Sequence, residues 1–105
     1  MKPQQLERIT LMEKYLDEAK ITLKAYSESL RTYREIQTKL RELAEYYSGD
    51  DWRKDFEDDE AGKLPHELKR GVLSEDSVYD VLSENTELQA ETLETMAELL
   101  REGIF

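Results

Sequence analysis

The residues best placed to do chemistry in this chain are carboxylates. Asp50, Asp51, Asp55, Glu57, Asp58, Asp59 and Glu60 crowd eleven positions, and hard divalent cations bind through such oxygens. The run lacks the alternating Asp/Asn spacing and the sharp-turn glycine of a calcium loop. Helix capping, solubility and pairing with Arg53, Lys54 or Lys63 account for it more simply. Glu42 and Glu45 form a Glu-x-x-Glu pair on one side of a helix, a spacing that can hold magnesium when a second such pair converges on it. With 25 acidic residues in the chain that spacing arises by chance, and Glu84/Glu87 and Glu91/Glu94 repeat it. A magnesium-dependent nucleotide or phosphoester hydrolase would need at least three of Glu42, Glu45, Asp55 and Glu60 in one cleft.

The other reactive residues are sparse. His66 is the only histidine, and a general base or zinc ligand needs partners that the sequence does not supply. It reads as an exposed residue of a helical turn. Lys69-Arg70-Gly71, followed by a helix opening at Ser74, could cradle a phosphate. Glu75 and Asp76 already occupy that electropositive helix end, so Arg70 is expected to pair with one of them and clamp the turn. Trp52 and Phe56, four apart, share a helix face and are expected to fold the connection back onto its neighbours. Tyr26, Tyr33, Tyr46, Tyr47 and Tyr79 read as packing residues. No cofactor is implied, no catalytic residue stands out, and the balance of signals leans away from an enzyme.

The elements that carry these residues are helical. From Gln5 to Tyr47 there is neither glycine nor proline. Ile9, Leu16, Leu23 and Leu30 recur every seven residues, as do Met12, Ala19, Tyr26, Tyr33, Leu40 and Tyr47. This is the stripe of a long helix with one buried seam, over about 4–48. Past Leu30 the stripe shifts by one position and Gln37 falls where an apolar residue was due, which predicts a kink near 27–37. Ser48-Gly49-Asp50-Asp51 ends the helix, with Gly49 as a left-handed cap. Asp50 or Asp51 then caps a short helix that Gly62 stops. Leu64-Pro65-His66-Glu67-Leu68-Lys69-Arg70-Gly71 predicts another helical turn, with Pro65 at its start and Gly71 at its close. Ser74 is an N-cap, and a last helix follows over about 75–102 to Gly103. Val78, Val81, Leu82, Leu88, Met96 and Leu99 are its expected buried face.

The expected fold is therefore all-α: a single domain over 1–105, folded as a long antiparallel helical hairpin with a structured connection at about 49–73 that contains short helical turns. The first helix outruns the last, so part of its seam stays uncovered in one chain. A homodimer is expected, in which two hairpins pair into a four-helix bundle and cover it; a bend near residue 30 would instead allow a self-sufficient three-helix bundle.

Charge narrows the partners. The net charge is −10, and residues 75–105 hold one basic and nine acidic side chains, a net −8. Such a surface repels phosphate backbones and anionic lipid, so neither nucleic acid nor membrane is an expected partner. It also raises a third possibility, an acidic mimic that binds the nucleic-acid site of a basic protein. The chain has no cysteine, hence no disulfide or thiolate metal site, which suits a reducing cytosol. Met1-Lys2-Pro3-Gln4-Gln5-Leu6-Glu7 has no apolar signal core, and no stretch reaches the ~18 apolar residues of a membrane span. A cytoplasmic protein is expected.

Glu45-Tyr46-Tyr47, Trp52, Asp55, Asp59-Glu60-Ala61-Gly62-Lys63-Leu64-Pro65 and Leu68-Lys69-Arg70-Gly71-Val72-Leu73-Ser74-Glu75-Asp76, with Tyr79 and Leu82, resemble domain-of-unknown-function family 4298, a group of small bacterial proteins. The resemblance covers nearly the whole chain. It is most specific from Tyr46 to Leu82, while the flanking helices match in pattern alone. It implies a short bacterial cytosolic protein and carries over no activity, cofactor or catalytic residue. It also makes the connection the distinguishing segment. The candidate interaction or clasp residues are Trp52, Asp55, Phe56, Glu60, Lys63, Pro65, Lys69, Arg70, Gly71, Glu75 and Asp76. The leading reading is a non-enzymatic interaction module that presents them to a protein partner with a basic or mixed surface.

Overall fold

A computed structural model describes residues 2–105. Helix α1 spans Pro3–Tyr47, α2 spans Asp50–Glu60, a 3-10 turn spans Gly71–Leu73, and α3 spans Ser77–Glu102. Among the described residues there is no strand. The fold is all-α, with two long helices flanking an ordered connection. The chain divides into two compact units, Met1–Lys39 and Leu40–Phe105.

The first unit is helix α1 up to Lys39. Pro3 occupies the first helical position, where its missing N–H costs nothing. The Lys2 carbonyl accepts from the N–H groups of Gln5 and Leu6, at 3.0 and 3.2 Å. Through the stretch where the phase shift predicts a kink, α1 is continuous. There Thr32 Oγ1 donates to the Glu28 carbonyl and Gln37 Nε2 to the Tyr33 carbonyl. The helix runs through the shift without a break.

The expected buried seam is the main correction. Leu6, Ile9, Met12, Leu16, Leu23, Tyr26 and Leu30 are all exposed, Leu23 by 67 %. No residue of α1 is buried. A heptad stripe records which residues share a face, not whether this chain supplies the surface that covers them.

The second unit holds the last turns of α1, then α2, the 3-10 turn and α3. Its buried centre is small: Leu73 and Val78 are the buried hydrophobic side chains, at 6 and 3 % exposure. Of the face expected on α3, Val78 is buried, Leu82 and Met96 are half-buried, and Val81, Leu88 and Leu99 are exposed.

The two ends of α3 follow from local chemistry. Ser74 is extended, and its Oγ accepts the N–H of Ser77, three residues on, at 3.4 Å. The N-cap of α3 is nonetheless Asp76, not the Ser74 that the sequence predicts, because the 3-10 turn runs through Leu73 and the helix starts only at Ser77. At the other end Gly103 takes φ 63° and closes α3 with its N–H on the Leu99 carbonyl. Gly62, at φ 73°, likewise follows α2. Gly49 is not the left-handed cap its position predicts. Its backbone is extended, φ −101° and ψ 174°, and it is the N-cap of α2. A side chain there would stand 3.2 Å from the Glu45 carbonyl, so close approach, not positive φ, explains the glycine.

Candidate functional site

The site is the ordered connection, a clasp built where α1 ends, α2 runs and α3 begins. Asp50 and Asp51 lie in the first turn of α2, where the helix dipole favours anions. Neither caps it through its side chain. The helix presents Trp52, Asp55, Phe56 and Asp59 inward to differing degrees, all partly buried.

Trp52 is the centre of the clasp. Its ring stacks on Phe56, with centroids 5.1 Å apart and planes 17° off parallel. Tyr47, the last residue of α1, meets it edge-on at 5.1 Å and 71°. The indole Nε1 donates to the Val72 carbonyl at 2.8 Å. Burying an indole satisfies its N–H only if an acceptor is brought to it, and the 3-10 turn brings one. The same turn sets Leu73 into the buried centre beside Val78.

Two tyrosines at the end of α1 tie the other sides. Tyr46 Oη donates to Asp55 Oδ2 at 2.6 Å, and Tyr47 Oη to the Glu75 carbonyl at 2.8 Å. Burial, then the hydrogen bond to Asp55, then the charges of Asp55 and Asp51 push the Tyr46 phenol up to about 12. Tyr46 therefore stays a neutral donor far into the alkaline range.

Arg70 locks the clasp, with a partner other than the one expected. It pairs with Asp59, not with Glu75 or Asp76. The same guanidinium donates to the Pro65 carbonyl, and its Nε to the Leu68 carbonyl at 3.3 Å. One cation thus holds the end of α2 and both sides of the loop that follows. The loop turns at Pro65, whose carbonyl also accepts from the Leu68 N–H at 3.2 Å. Gly71 does not close a helical turn there. It opens the 3-10 turn instead.

The remaining candidates are placed as follows. Lys63 pairs with Asp58 at 3.9 Å, and Lys54 with the same carboxylate at 3.9 Å. Arg53 lies 3.7 Å from Asp50. Pairing thus accounts for much of the acidic run, through contacts that contribute little each. Glu60 and Lys69 are exposed. Glu75 contributes its backbone carbonyl to Tyr47, and the Asp76 carbonyl accepts the N–H of Asp80 at 2.8 Å. Sequence reasoning missed Tyr46, Tyr47 and Asp59 as clasp residues. Tyr46-Tyr47 did carry a signal: adjacent helical residues point about 100° apart, so only one could serve the stripe.

The carboxylates do not assemble a metal centre. Among the described residues no three His, Cys, Asp or Glu side chains gather to hold a metal ion. Asp55, one of the four that a magnesium-dependent hydrolase would need, accepts the Tyr46 hydroxyl. Its convergence requirement is unmet. Among the described residues, no helix is long and apolar enough to cross a membrane.

A family model, domain of unknown function (DUF4298), matches residues 9–95. The chain belongs to this family. The match takes in the whole clasp and most of both long helices. No curated protein and no solved structure matches the chain. The DUF4298 assignment supplies no activity to place on the clasp, so its function has to be argued from what its residues can do.

Proposed function

We propose that this DUF4298 protein is a non-enzymatic interaction module of a bacterial cytosol. In this reading the clasp from Trp52 to Asp76 is a preorganised docking surface, and the long helix associates with a second copy. The observation that carries it is the mismatch between apolar content and burial. Among the described residues two hydrophobic side chains are buried, while a stripe of seven, Ile9 to Leu30, stays exposed on one helix. Each half-exposed Leu or Ile could still gain roughly 1 kcal/mol on full burial. A sequence that keeps so many apolar residues in register on an exposed face is suited to burying them against another chain.

The clasp supports the same reading from the other side. Its hydrogen bonds and ring stack fix loop 61–76 without a large core. Preorganisation of this kind reduces the entropy lost on binding. The acidic surface of α3 favours a partner whose contact face is basic or mixed.

The test is an affinity purification with tagged wild type, Trp52→Ala and Arg70→Ala, each confirmed folded by circular dichroism. The reading expects a partner recovered by wild type and lost with both variants. Equal recovery by all three removes the clasp from the proposal.

A further inference from the structure

Resting on that interaction reading, we infer that α1 self-associates antiparallel through residues 5–30, in a register that sets Glu13 of each copy against Lys20 of the other. Ile9, Leu16, Leu23 and Leu30 repeat every seven residues, with Met12, Ala19 and Tyr26 three residues after the first three of them. All seven are exposed, in one uninterrupted helix. Residues 5–30 give nearly four heptads, the length at which such a seam sustains a coiled coil, and span about 39 Å.

Charge selects a second copy as the occupant. Residues 1–39 carry eight basic and six acidic side chains, a net +2, whereas residues 40–105 carry seven and nineteen, a net −12. The near-balanced segment is thus the one that can face itself without strong repulsion. Charge also selects the direction. A parallel pair would send both −12 segments onward from the same end of the paired helices. An antiparallel pair sends them from opposite ends, and it opposes the helix dipoles favourably.

Register then follows from layer counting. Antiparallel seams set each first-series residue against a second-series residue of the partner. Pairing Ile9 with Tyr26 also pairs Met12 with Leu23, Leu16 with Ala19, and Gln5 with Leu30. Leu16 meets the small Ala19 at the centre, Met12 meets Leu23 and Ile9 meets Tyr26 outside it, and the two-fold repeats every layer. In this register the flanking Glu13 and Lys20 are opposite each other, twice. Sliding by one heptad brings Lys20 against Lys20, an uncompensated like charge beside the seam. Sliding by two sets Met12 against Gln37 one layer inside each end of the seam, whereas Gln5, the amide of the first register, meets Leu30 in the terminal layers, where water reaches it.

The full chain, which has no cysteine of its own, is labelled with a nitroxide at Glu7→Cys, off the seam, and the intermolecular distance is read by pulsed electron resonance. In this register Glu7 lies level with Glu28 of the partner, so the labels are offset about 32 Å along the axis. A parallel pair leaves only the width of two helices, roughly 20 Å, and the two-heptad slide gives about 52 Å. Either result overturns the inference. Light scattering supplies the second arm. Glu13→Lys is expected to weaken the dimer roughly tenfold, and Glu13→Lys with Lys20→Glu to restore it. Leu16→Glu is expected to leave a monomer with Trp52 fluorescence unchanged. A wild type that stays monomeric, or a dimer indifferent to Leu16→Glu, also overturns it. In those cases the clasp's binding of a partner is still judged separately, by the Trp52 and Arg70 variants.

Discussion

Trp52 is the residue whose replacement dissects the clasp most directly, because its packing and its hydrogen bond can be removed separately. Trp52→Phe keeps a ring over Phe56 and under Tyr47 but deletes the N–H that the Val72 carbonyl accepts at 2.8 Å. A neutral hydrogen bond of this kind contributes about 1 kcal/mol net. Val72 is only half-buried, so water can partly replace the donor. With the smaller ring added, Trp52→Phe should cost about 1–2 kcal/mol. Trp52→Ala removes two aromatic contacts worth about 0.5–1.5 kcal/mol each beyond their area. It also removes the partial burial of the largest side chain in the unit. Its cost should reach about 3–4 kcal/mol, below the upper range for a fully buried tryptophan. Urea unfolding followed by circular dichroism, with all variants at one protein concentration, measures both. Hydrogen exchange over residues 64–78 should rise for Trp52→Ala far more than for Trp52→Phe. If the two substitutions cost the same, the ring stack contributes nothing. If both fall within about 0.5 kcal/mol of wild type, as ordinary surface changes do, Trp52 does not hold the clasp.

Other perturbations probe the remaining ties. Arg70→Ala and Asp59→Asn, with the double variant, should show a coupling of about 1–2 kcal/mol by urea unfolding, more than an exposed pair gives, because Asp59 is only 19 % exposed. An additive double variant would mean the pair is ornamental. Tyr46 has its pKa raised to about 12, so its neutral form is the one the fold favours. Its contribution is complete below the unfolded value near 10 and is lost as pH climbs toward 12. Spectrophotometric titration of wild type against Tyr46→Phe should assign the last phenol to ionise to Tyr46, and the variant should lose less stability between pH 10 and 12. Gly49→Ala and Gly62→Ala should each cost about 1 kcal/mol or slightly more for different reasons, crowding against the Glu45 carbonyl in the first and positive φ in the second. Adding Asn at both positions separates them, since Asn tolerates left-handed backbone and should rescue only Gly62.

What the sequence disclosed, and what it withheld, divides along a physical line. Helix existence was legible because it depends on near neighbours: no glycine or proline from Gln5 to Tyr47, and Gly62 and Gly103 at the exits of α2 and α3. The structured character of the connection was legible because it is too long for a plain loop and because Trp52 and Phe56, four apart, share a face that needs covering. Partner identity was not. Arg70 lies five residues from Glu75 and eleven from Asp59, and sequence proximity favoured the wrong carboxylate. Once the 3-10 turn carries Arg70 back along α2, Asp59 is the acceptor within reach.

Burial was the least legible quantity, and its failure is informative. The first phase of the heptad stripe on α1 runs from Ile9 to Leu30, yet its members are exposed. Periodicity reports which apolar residues share a face, whatever chain covers it. When the covering surface lies in the same chain, pattern and burial agree, as at Val78. When they disagree, as from Ile9 to Leu30 of α1, the pattern marks an apolar face left exposed, and this is the face that the proposed self-association would cover.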